Sequence, residues 1–267
     1  MNVILLNGSP RKRNTLAALN EFSVFLEKKG FKCNIINLCE AKIEPCLGCL
    51  ACFDKGEEFC PHHDDVKHIV AQIDAADGVI FSSPVYAFHI SVLLKNLLER
   101  ISHIFHRPRF FGKAATSIVT QGIYGGNDSI KYLSFVEQML GFKTVDGKVL
   151  MTIEPFTTKQ KEKNSRALRK LADSYYEQIT RERYPEPSIC ALTMFRTGRT
   201  KINNELNEKY RDYTYYRDKG WFTSDYYYPV KIGFVKKIYG SIVDLFSDQF
   251  TSSKQLYTTQ NRSKIKS

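Results

Sequence analysis

A short segment near the N-terminus combines residue types that bind phosphate. Residues 8–15 read GSPRKRNT and lead from an apolar run into a segment with helical spacing. At such a junction, unpaired backbone N–H groups and the positive end of the helix dipole favour an anion. Ser9, Asn14 and Thr15 add short hydrogen-bonding side chains, and Arg11 adds a fixed charge. An ordinary basic turn with an Asn or Thr helix cap is the alternative.

Two later loops carry groups that suit a flat heterocycle. Residues 82–88 read SSPVYAF and follow the third apolar run, whereas residues 121–127 read QGIYGGN and follow the fourth. Tyr86 offers a planar ring with a polar tip, and the glycines let backbone N–H groups approach a ligand. Taken singly, each loop also fits a packed turn or a flexible connection. Loops that follow parallel strands share one sheet edge, so together the three predict a pocket for a phosphorylated planar ring.

Four of the seven cysteines form the pattern C-x2-C-x2-C-x7-C: Cys46, Cys49, Cys52 and Cys60. Compact thiolate runs of this kind hold [4Fe–4S] clusters. Tetrahedral zinc is a rival, with His62 and His63 close by, and free thiols or a disulfide are further alternatives. The spacing leaves these alternatives open.

Alternating strand-like and helix-like segments position these loops. Strands are predicted at residues 2–7, 32–38, 78–83, 114–121 and 143–151, and helices at residues 14–29, 64–74, 90–101, 129–140 and 158–180. This alternation indicates βαβ units and a parallel sheet covered by helices on both faces.

The character of the chain changes after residues 184–187, which read YPEP. We therefore expect two domains, 1–183 and 184–267. Helices are predicted at 200–219 and at 232–246, the second with an apolar stripe. The expected role of this aromatic, basic extension is packing or dimerisation, with its tyrosines covering a partner's site. Stacking on nucleic acid or lying on a membrane is disfavoured.

Composition narrows the class of protein. The chain has 267 residues, 43% of them hydrophobic, which is enough for a core and argues against disorder. No run of about 20 apolar residues and no secretory leader is found, so a cytoplasmic protein is expected. The net charge is +11; residues 187–267 hold 14 Lys and Arg against 7 Asp and Glu, which contributes +7. This charge suits anionic ligands without selecting one.

Together, the loops resemble the flavodoxin-like NAD(P)H-dependent FMN reductase family, including its iron–sulfur flavoprotein branch. The resemblance rests on residues 8–15, on Ser-Pro-Val-Tyr at 83–86 with Lys95 in the next helix, and on the glycine-rich loop at 121–127. It covers about residues 1–180. The phosphate loop is one residue shorter than is usual in the family.

The resemblance implies a doubly wound sheet of five strands in the order 2-1-3-4-5, with FMN as cofactor and NAD(P)H as electron donor. The residues that it implies around FMN fall into three groups: Ser9, Arg11, Asn14, Thr15 and Leu16 at the phosphate; Pro84, Val85 and Tyr86 along the isoalloxazine; and Gly122, Gly125 and Gly126 near the pyrimidine edge. No catalytic side chain is expected, because the flavin carries the chemistry.

The expected function is an NAD(P)H oxidoreductase that passes electrons from FMN to a quinone, a flavin, a nitroaromatic or an iron–sulfur partner. A homo-oligomer, either dimer or tetramer, is expected. The alternative is a non-enzymatic electron carrier of the flavodoxin or iron–sulfur flavoprotein type. Such carriers are typically acidic, whereas this chain is basic. A phosphoacceptor receiver domain is excluded, since Asn7 stands where an aspartate is needed.

Overall fold

The computed structural model describes residues 1–264, with side chains described through residue 249. The chain divides into two compact units. The first comprises Met1–Gly48 and His62–Tyr184, and the second comprises Cys49–Pro61 together with the chain from Pro185 onward. The domains 1–183 and 184–267 remain a proposal.

A parallel sheet forms the centre of the first unit. Its strands are β1 (Asn2–Asn7), β2 (Lys32–Asn37), β3 (Gly78–Pro84), β4 (Ala114–Gln121), β5 (Lys143–Thr144) and β6 (Lys148–Met151). The order is β2-β1-β3-β4-β5, with β6 also paired to β4, and every pairing is parallel. The predicted order is therefore confirmed, and the fold is flavodoxin-like.

The fifth predicted strand, 143–151, is broken into β5 and β6 by a bulge. Ala115 of β4 pairs with Thr144, and Ile118 of β4 pairs with Lys148. Between these two pairs the edge strand advances by four residues while β4 advances by three, so the edge strand holds one extra residue. At the break, Thr116 Oγ1 donates a hydrogen bond of 2.9 Å to the carbonyl of Val145, which satisfies a group that the ladder leaves out. An extra residue of this kind bends an edge strand without ending it.

Helices cover both faces of the sheet. In the first unit they are α1 (Asn14–Glu27), α3 (Val66–Ala75), α4 (Val92–Arg100), α5 (His103–His106), α6 (Gly126–Leu140) and α7 (Thr158–Thr180). One apolar core lies beneath α3 to α6 and contains Phe81, Phe110 and Leu133. The other lies beneath α1 and α7 and contains Phe22 and Leu168. Burial on both faces explains the apolar runs of the central strands β1 and β3.

Helix α3 begins two residues later than the sequence predicted. Asp64 is not a free helix-terminal acid, because its carboxylate accepts hydrogen bonds from the backbone N–H of Glu44 at 2.9 Å and of Val66 at 3.3 Å. It also pairs with Arg100. These partners hold Asp64 outside the helix.

The second unit is helical, as expected for the C-terminal region. Its helices are α2 (Ala51–Asp54), α8 (Ile189–Glu205), α9 (Arg211–Asp218) and α10 (Phe234–Lys264), and Glu57–Phe59 forms a 3-10 turn. The prediction of one helix over 200–219 is wrong. Asn207 interrupts it, since its side chain accepts from Lys209 N at 3.0 Å and its carbonyl accepts from Tyr210 N at 3.0 Å.

The predicted amphipathic helix at 232–246 corresponds to the first part of α10, which begins two residues later than predicted, at Phe234. Its apolar side chains are largely exposed on this chain, with Phe234 at 77%, Val235 at 79% and Leu245 at 66%. Among the described residues, none of the helices has the length and apolarity needed to cross a membrane.

Candidate functional site

A cavity of about 350 Å³ opens at the carboxyl edge of the sheet. The residues that line it are Ser9, Arg11, Arg13, Asn14, Thr15, Pro84, Val85, Tyr86, Thr120, Gly122, Thr152 and Glu154. They follow β1, β3, β4 and β6. The strand order reverses between β1 and β3, which is where open α/β sheets bind ligands. The topology thus gathers the three predicted loops around one cavity.

The N-terminus of α1 forms the polar end of the cavity. Its N-cap is Arg13, which makes no side-chain capping bond, and the first turn contains no acidic residue. Ser9 Oγ accepts from Arg11 N at 3.2 Å and donates to Arg11 O at 2.8 Å, which folds the preceding loop into a tight turn. The helix therefore presents uncapped N–H groups and a positive dipole end to an anion.

A buried asparagine orients this loop. Asn7 is fully buried at the end of β1, where its Nδ2 donates to Asn37 Oδ1 at 3.0 Å. Its Oδ1 accepts from Ser9 N at 3.1 Å. Because Asn37 ends the neighbouring strand β2, the loop is anchored to two strands rather than one.

Ser91 joins the first loop to the loop after β3. It is 1% exposed, and its Oγ donates to Gly8 O at 2.5 Å and accepts from Leu94 N at 3.3 Å as the N-cap of α4. Its backbone N–H donates to Ser83 Oγ at 2.8 Å. One serine thus fixes the spacing of the phosphate-type loop, the loop after β3 and helix α4.

The end of β4 is hydrogen-bonded to the start of α1 and to the loop after β3. Thr15 Oγ1 and Thr120 Oγ1 lie 2.7 Å apart as a buried hydrogen bond. The carbonyl of Thr120 accepts from Val85 N at 2.8 Å. The start of α1, the loop after β3 and the end of β4 are therefore cross-linked by hydrogen bonds, so this part of the cavity is pre-organised.

Two adjacent basic residues point to different partners. Arg11 lines the cavity, and its Nη2 donates to the hydroxyl of Tyr86 at 3.2 Å, with the guanidinium 5.9 Å from the ring centroid. Lys12 instead forms an exposed ion pair with Glu40. The hydrogen bond and charge of Glu40 raise the pKa of Lys12, and the same contact lowers the pKa of Glu40. Of this pair, Arg11 is the cation that faces the cavity.

A tight turn shapes the loop after β3. Tyr86 and His89 exchange backbone hydrogen bonds of 2.9 and 3.0 Å, and Ala87 and Phe88 between them have φ of 46° and 64°. Two consecutive non-glycine residues in the left-handed region are costly, and such strain is concentrated at functional sites. Gly125, with φ of 92°, lies against this turn, where a Cβ would fall 2.7 Å from Phe88 O.

Eight of the eleven residues implied by the resemblance line this cavity. The three others are Leu16, Gly125 and Gly126. Gly125 lines a neighbouring cavity of about 560 Å³ with Phe88 and Tyr124. Gly126 has a local role, since its N–H donates to Gln121 Oε1 at 2.7 Å.

Four lining residues were missed by the sequence reasoning: Arg13, Thr120, Thr152 and Glu154. Thr120 lies at the end of β4, and Thr152 and Glu154 follow β6. The rule that ligands bind beyond the carboxyl ends of the strands applies equally to these positions.

The donor set fits the phosphate and ring of FMN. An uncapped helix start, Arg11, and the hydroxyls of Ser9 and Thr15 are donors of the kind that hold phosphate, and Tyr86 supplies an aromatic wall. The closeness of the loops also depends on Gly8, where a Cβ would lie 2.8 Å from Ser82 O and 2.9 Å from Leu94 Cβ.

The C-x2-C-x2-C-x7-C segment supplies four cysteine side chains, none of them in a disulfide: Cys46, Cys49, Cys52 and Cys60. Four thiols are the right donors for an iron–sulfur cluster. Within residues 1–264, however, no three His, Cys, Asp or Glu side chains are gathered in a metal-holding arrangement. The donor chemistry fits, whereas the ligating geometry is not assembled.

The fold is flavodoxin-like, and one sheet edge carries an uncapped helix start beside a cavity whose donor set suits a phosphate and a planar ring. Residues 1–154 match the family model described as NADPH-dependent FMN reductase. The chain belongs to this family, and it is therefore an FMN-dependent oxidoreductase.

Comparisons with individual proteins agree with this family. An iron-sulfur flavoprotein of Archaeoglobus fulgidus is 28% identical over 229 residues, covering 83% of this chain and 100% of the relative. A second one from the same organism is 30% identical over 142 residues, covering 53% and 69%. The solved NAD(P)H:quinone oxidoreductase from Methanothermobacter marburgensis shares the fold, with a TM-score of 0.53 and 17% identity over 64% of this chain and 97% of that one.

Proposed function

We propose that this protein oxidises NAD(P)H and passes the electrons through FMN, held in the cavity at the sheet edge, to a small acceptor such as a quinone, a flavin or a nitroaromatic. The observation that carries the proposal is the uncapped start of α1, with Arg11 bridging from this phosphate end to Tyr86 at the ring end. Bound FMN supplies hydride acceptance and electron release.

The residues of the chain have binding and orienting roles in this proposal. The helix start, Arg11, Ser9 and Thr15 hold the phosphate, and residues 84–86 with Gly122 border the ring. The proposed hydride transfer to FMN needs stacking geometry rather than a side-chain base or nucleophile.

A turnover assay tests this proposal. Protein loaded with FMN is expected to oxidise NADPH or NADH when a quinone is present, and to do so at a rate proportional to its flavin content. Binding of FMN without nicotinamide oxidation would instead favour the non-enzymatic electron carrier. The nitroaromatic and flavin acceptors are compared in the same assay.

A second proposal concerns the cysteine segment, which we infer carries an iron–sulfur cluster. Its support is the spacing of four cysteines in one short segment, together with relatives named iron-sulfur flavoproteins. Because metal binding is coupled to folding, the cluster itself would draw the thiols together. Iron and sulfide analysis of protein purified without oxygen tests this: close to four iron atoms per chain supports a [4Fe–4S] cluster, and zinc alone contradicts it.

The proposal includes a homo-oligomer in the cytoplasm. The homo-oligomer is supported by the exposed apolar stripe of α10: Phe234, Val235, Ile238, Ile242, Leu245 and Phe246. Contiguous exposed apolar surface of this kind is covered by a partner in most proteins. We commit to a second copy of this chain as that partner.

A further inference from the structure

A second cavity, of about 560 Å³, lies between the loops after β3 and β4. It borders the cavity at the start of α1 along both loops. Tyr86 lines the first cavity and Phe88 the second, and Gly122 lines the first and Ile123 the second. A ligand in the second cavity would therefore lie beside the end proposed for the FMN ring and away from the phosphate end.

Apolar side chains around the second cavity are exposed. Phe88 is 73% exposed, Tyr124 73% and Ile123 63%, although each is large and mainly apolar. Exposed apolar side chains that are grouped at a concave surface mark a binding site in soluble proteins. A flat apolar ligand would remove their surface from water, and the two aromatic rings would stack against it.

The backbone holds Phe88 at this cavity against a conformational cost. Phe88 and the preceding Ala87 lie in the left-handed region, with φ of 64° and 46°. The other loop fixes the turn as well, because a Cβ at Gly125 would fall 2.7 Å from Phe88 O. Strain of this kind persists where the surrounding structure enforces it, and it is concentrated at ligand sites. The position of Phe88 is therefore set by both loops.

The charges that line the second cavity compensate each other. They belong to Asp128 and Lys131, which form an ion pair of 3.7 Å. By contrast, the first cavity has Arg11 and Arg13 against Glu154. A phosphate is bound by uncompensated cations and N–H groups, as the first cavity supplies them. The second cavity therefore suits an uncharged ligand, which disfavours NAD(P)H and phosphorylated flavins there.

We propose that the second cavity binds the electron acceptor, that this acceptor is an uncharged fused-ring quinone, and that Phe88 and Tyr124 select it by stacking on its rings. A fused ring buries more apolar surface against these side chains than a single ring does. The inference rests on the proposed oxidation of NAD(P)H. In the overall reaction NAD(P)H gives up a hydride, and the quinone takes up two electrons and two protons to form the hydroquinone, with the second proton coming from water.

Equilibrium binding tests the inference without turnover. The probe is dimethylnaphthoquinone, whose methyl groups occupy the positions that would otherwise react with cysteine thiols. It is titrated into oxidised, FMN-loaded protein in a calorimeter, with no NAD(P)H present. Loss of one aromatic contact should raise its Kd about tenfold in Phe88→Ala and in Tyr124→Ala.

Two further variants serve as controls for the binding experiment. Tyr124→Phe keeps the ring, and its Kd should stay within about twofold of the parent value. Phe135→Ala removes an exposed aromatic side chain of α6 that does not line the cavity, and it should leave the Kd unchanged. The affinity for FMN should be the same in all four variants.

Steady-state turnover separates selection of the acceptor from oxidation of the donor. In Phe88→Ala and Tyr124→Ala, KM for dimethylnaphthoquinone should rise about tenfold, with kcat nearly unchanged. KM for NAD(P)H and the rate with ferricyanide, which has no ring to stack, should stay within about twofold. In the parent, tetramethylbenzoquinone and free FMN should each have a KM at least about fivefold above that of dimethylnaphthoquinone.

Several results would overturn the inference. Unchanged Kd and KM for the naphthoquinone in both alanine variants would show that the two rings do not contact the acceptor. A parallel loss of FMN affinity would assign Phe88 and Tyr124 to the flavin ring, and a change of mass in sedimentation velocity would assign them to a subunit interface. A parent that turns over with ferricyanide but does not bind the quinone removes this inference alone. A parent that oxidises NAD(P)H with none of these acceptors removes the proposed function and this inference with it.

Discussion

Arg11 and Lys12 show how neighbouring residues of one type acquire different roles. Arg11 faces the cavity, whereas Lys12 is engaged by Glu40 on the outside of the loop. We expect Arg11→Gln to weaken FMN binding by about 10- to 100-fold, since a hydrogen bond to a charged group contributes roughly 1.5–3 kcal/mol. Quenching of FMN fluorescence measures the affinity.

The matched control for Arg11 is Lys12→Gln. It removes the same charge from the next position, and affinity is expected to change less than about threefold. If the two substitutions weaken FMN binding equally, FMN binding depends on net charge alone and not on the position of the Arg11 side chain at the cavity.

Gly8 is required for the close approach of the first loop to β3 and α4. A Cβ there would lie 2.8 Å from Ser82 O, whereas a Cβ at Gly122 would meet nothing within 4 Å. Gly8→Ala is therefore expected to destabilise the FMN-free protein by about 1–3 kcal/mol, as overpacking usually does. Gly122→Ala should stay within about 0.5 kcal/mol. Urea unfolding of both variants measures the difference, and similar values would contradict the crowding at Gly8.

At the scale of elements, helix α6 buries an acid against β4. Glu137 is fully buried, with its carboxyl beside the hydroxyl of Ser117. Burial raises the pKa of Glu137 well above its ordinary 4.5, and the hydroxyl of Ser117 offsets only part of the rise. Folding therefore favours the neutral, protonated form of this acid.

The buried Glu137 makes the free energy of unfolding depend on pH in a definite direction. Below pH 4.5 both folded and unfolded states keep the proton, so Glu137 contributes no slope. Above it, unfolding releases the proton, and stability is lost as the pH rises toward the folded pKa. Glu137→Gln should remove this loss. The free energy of unfolding of the variant, measured with urea, should therefore exceed that of the parent by an amount that grows from pH 5 to pH 8. An advantage that is constant with pH would contradict a neutral Glu137.

The elements that sequence could predict are those specified by local pattern. The apolar runs of the strands and the strand-to-helix junction at residues 8–15 are local signals, and they located the sheet and most of the cavity. The break between α8 and α9 also had a local signal in Asn207, which was overlooked.

Other features depend on partners distant in the sequence. The extra residue between β5 and β6 is defined only by register against β4. The left-handed turn at Ala87 and Phe88 lacks the glycine or asparagine that normally marks one. Asp64 resembled a helix-terminal acid because its partner, Arg100, lies 36 residues away.

At the scale of the whole molecule, α10 leaves apolar side chains such as Phe234 and Val235 exposed among the described residues, which agrees with the dimerisation role expected for this region. If a second copy covers the stripe, Ile238→Glu combined with Ile242→Glu should shift the oligomer to monomer. Sedimentation velocity measures the mass, and FMN affinity should be retained. Lys163→Glu, an exposed position on α7 that changes the net charge by the same two units, is the control, and an unchanged mass in the double variant would contradict self-association through α10.

The account depends on a phosphate bound at the start of α1 beside a ring held by the loops after β3 and β4. Titration with FMN and with riboflavin, which lacks the phosphate, tests this most directly. We predict saturable quenching with one FMN per chain and an affinity for riboflavin about 100-fold or more weaker, with the difference reduced in Arg11→Gln. Equal affinities for the two flavins, or no quenching by either, would contradict the assignment of this cavity.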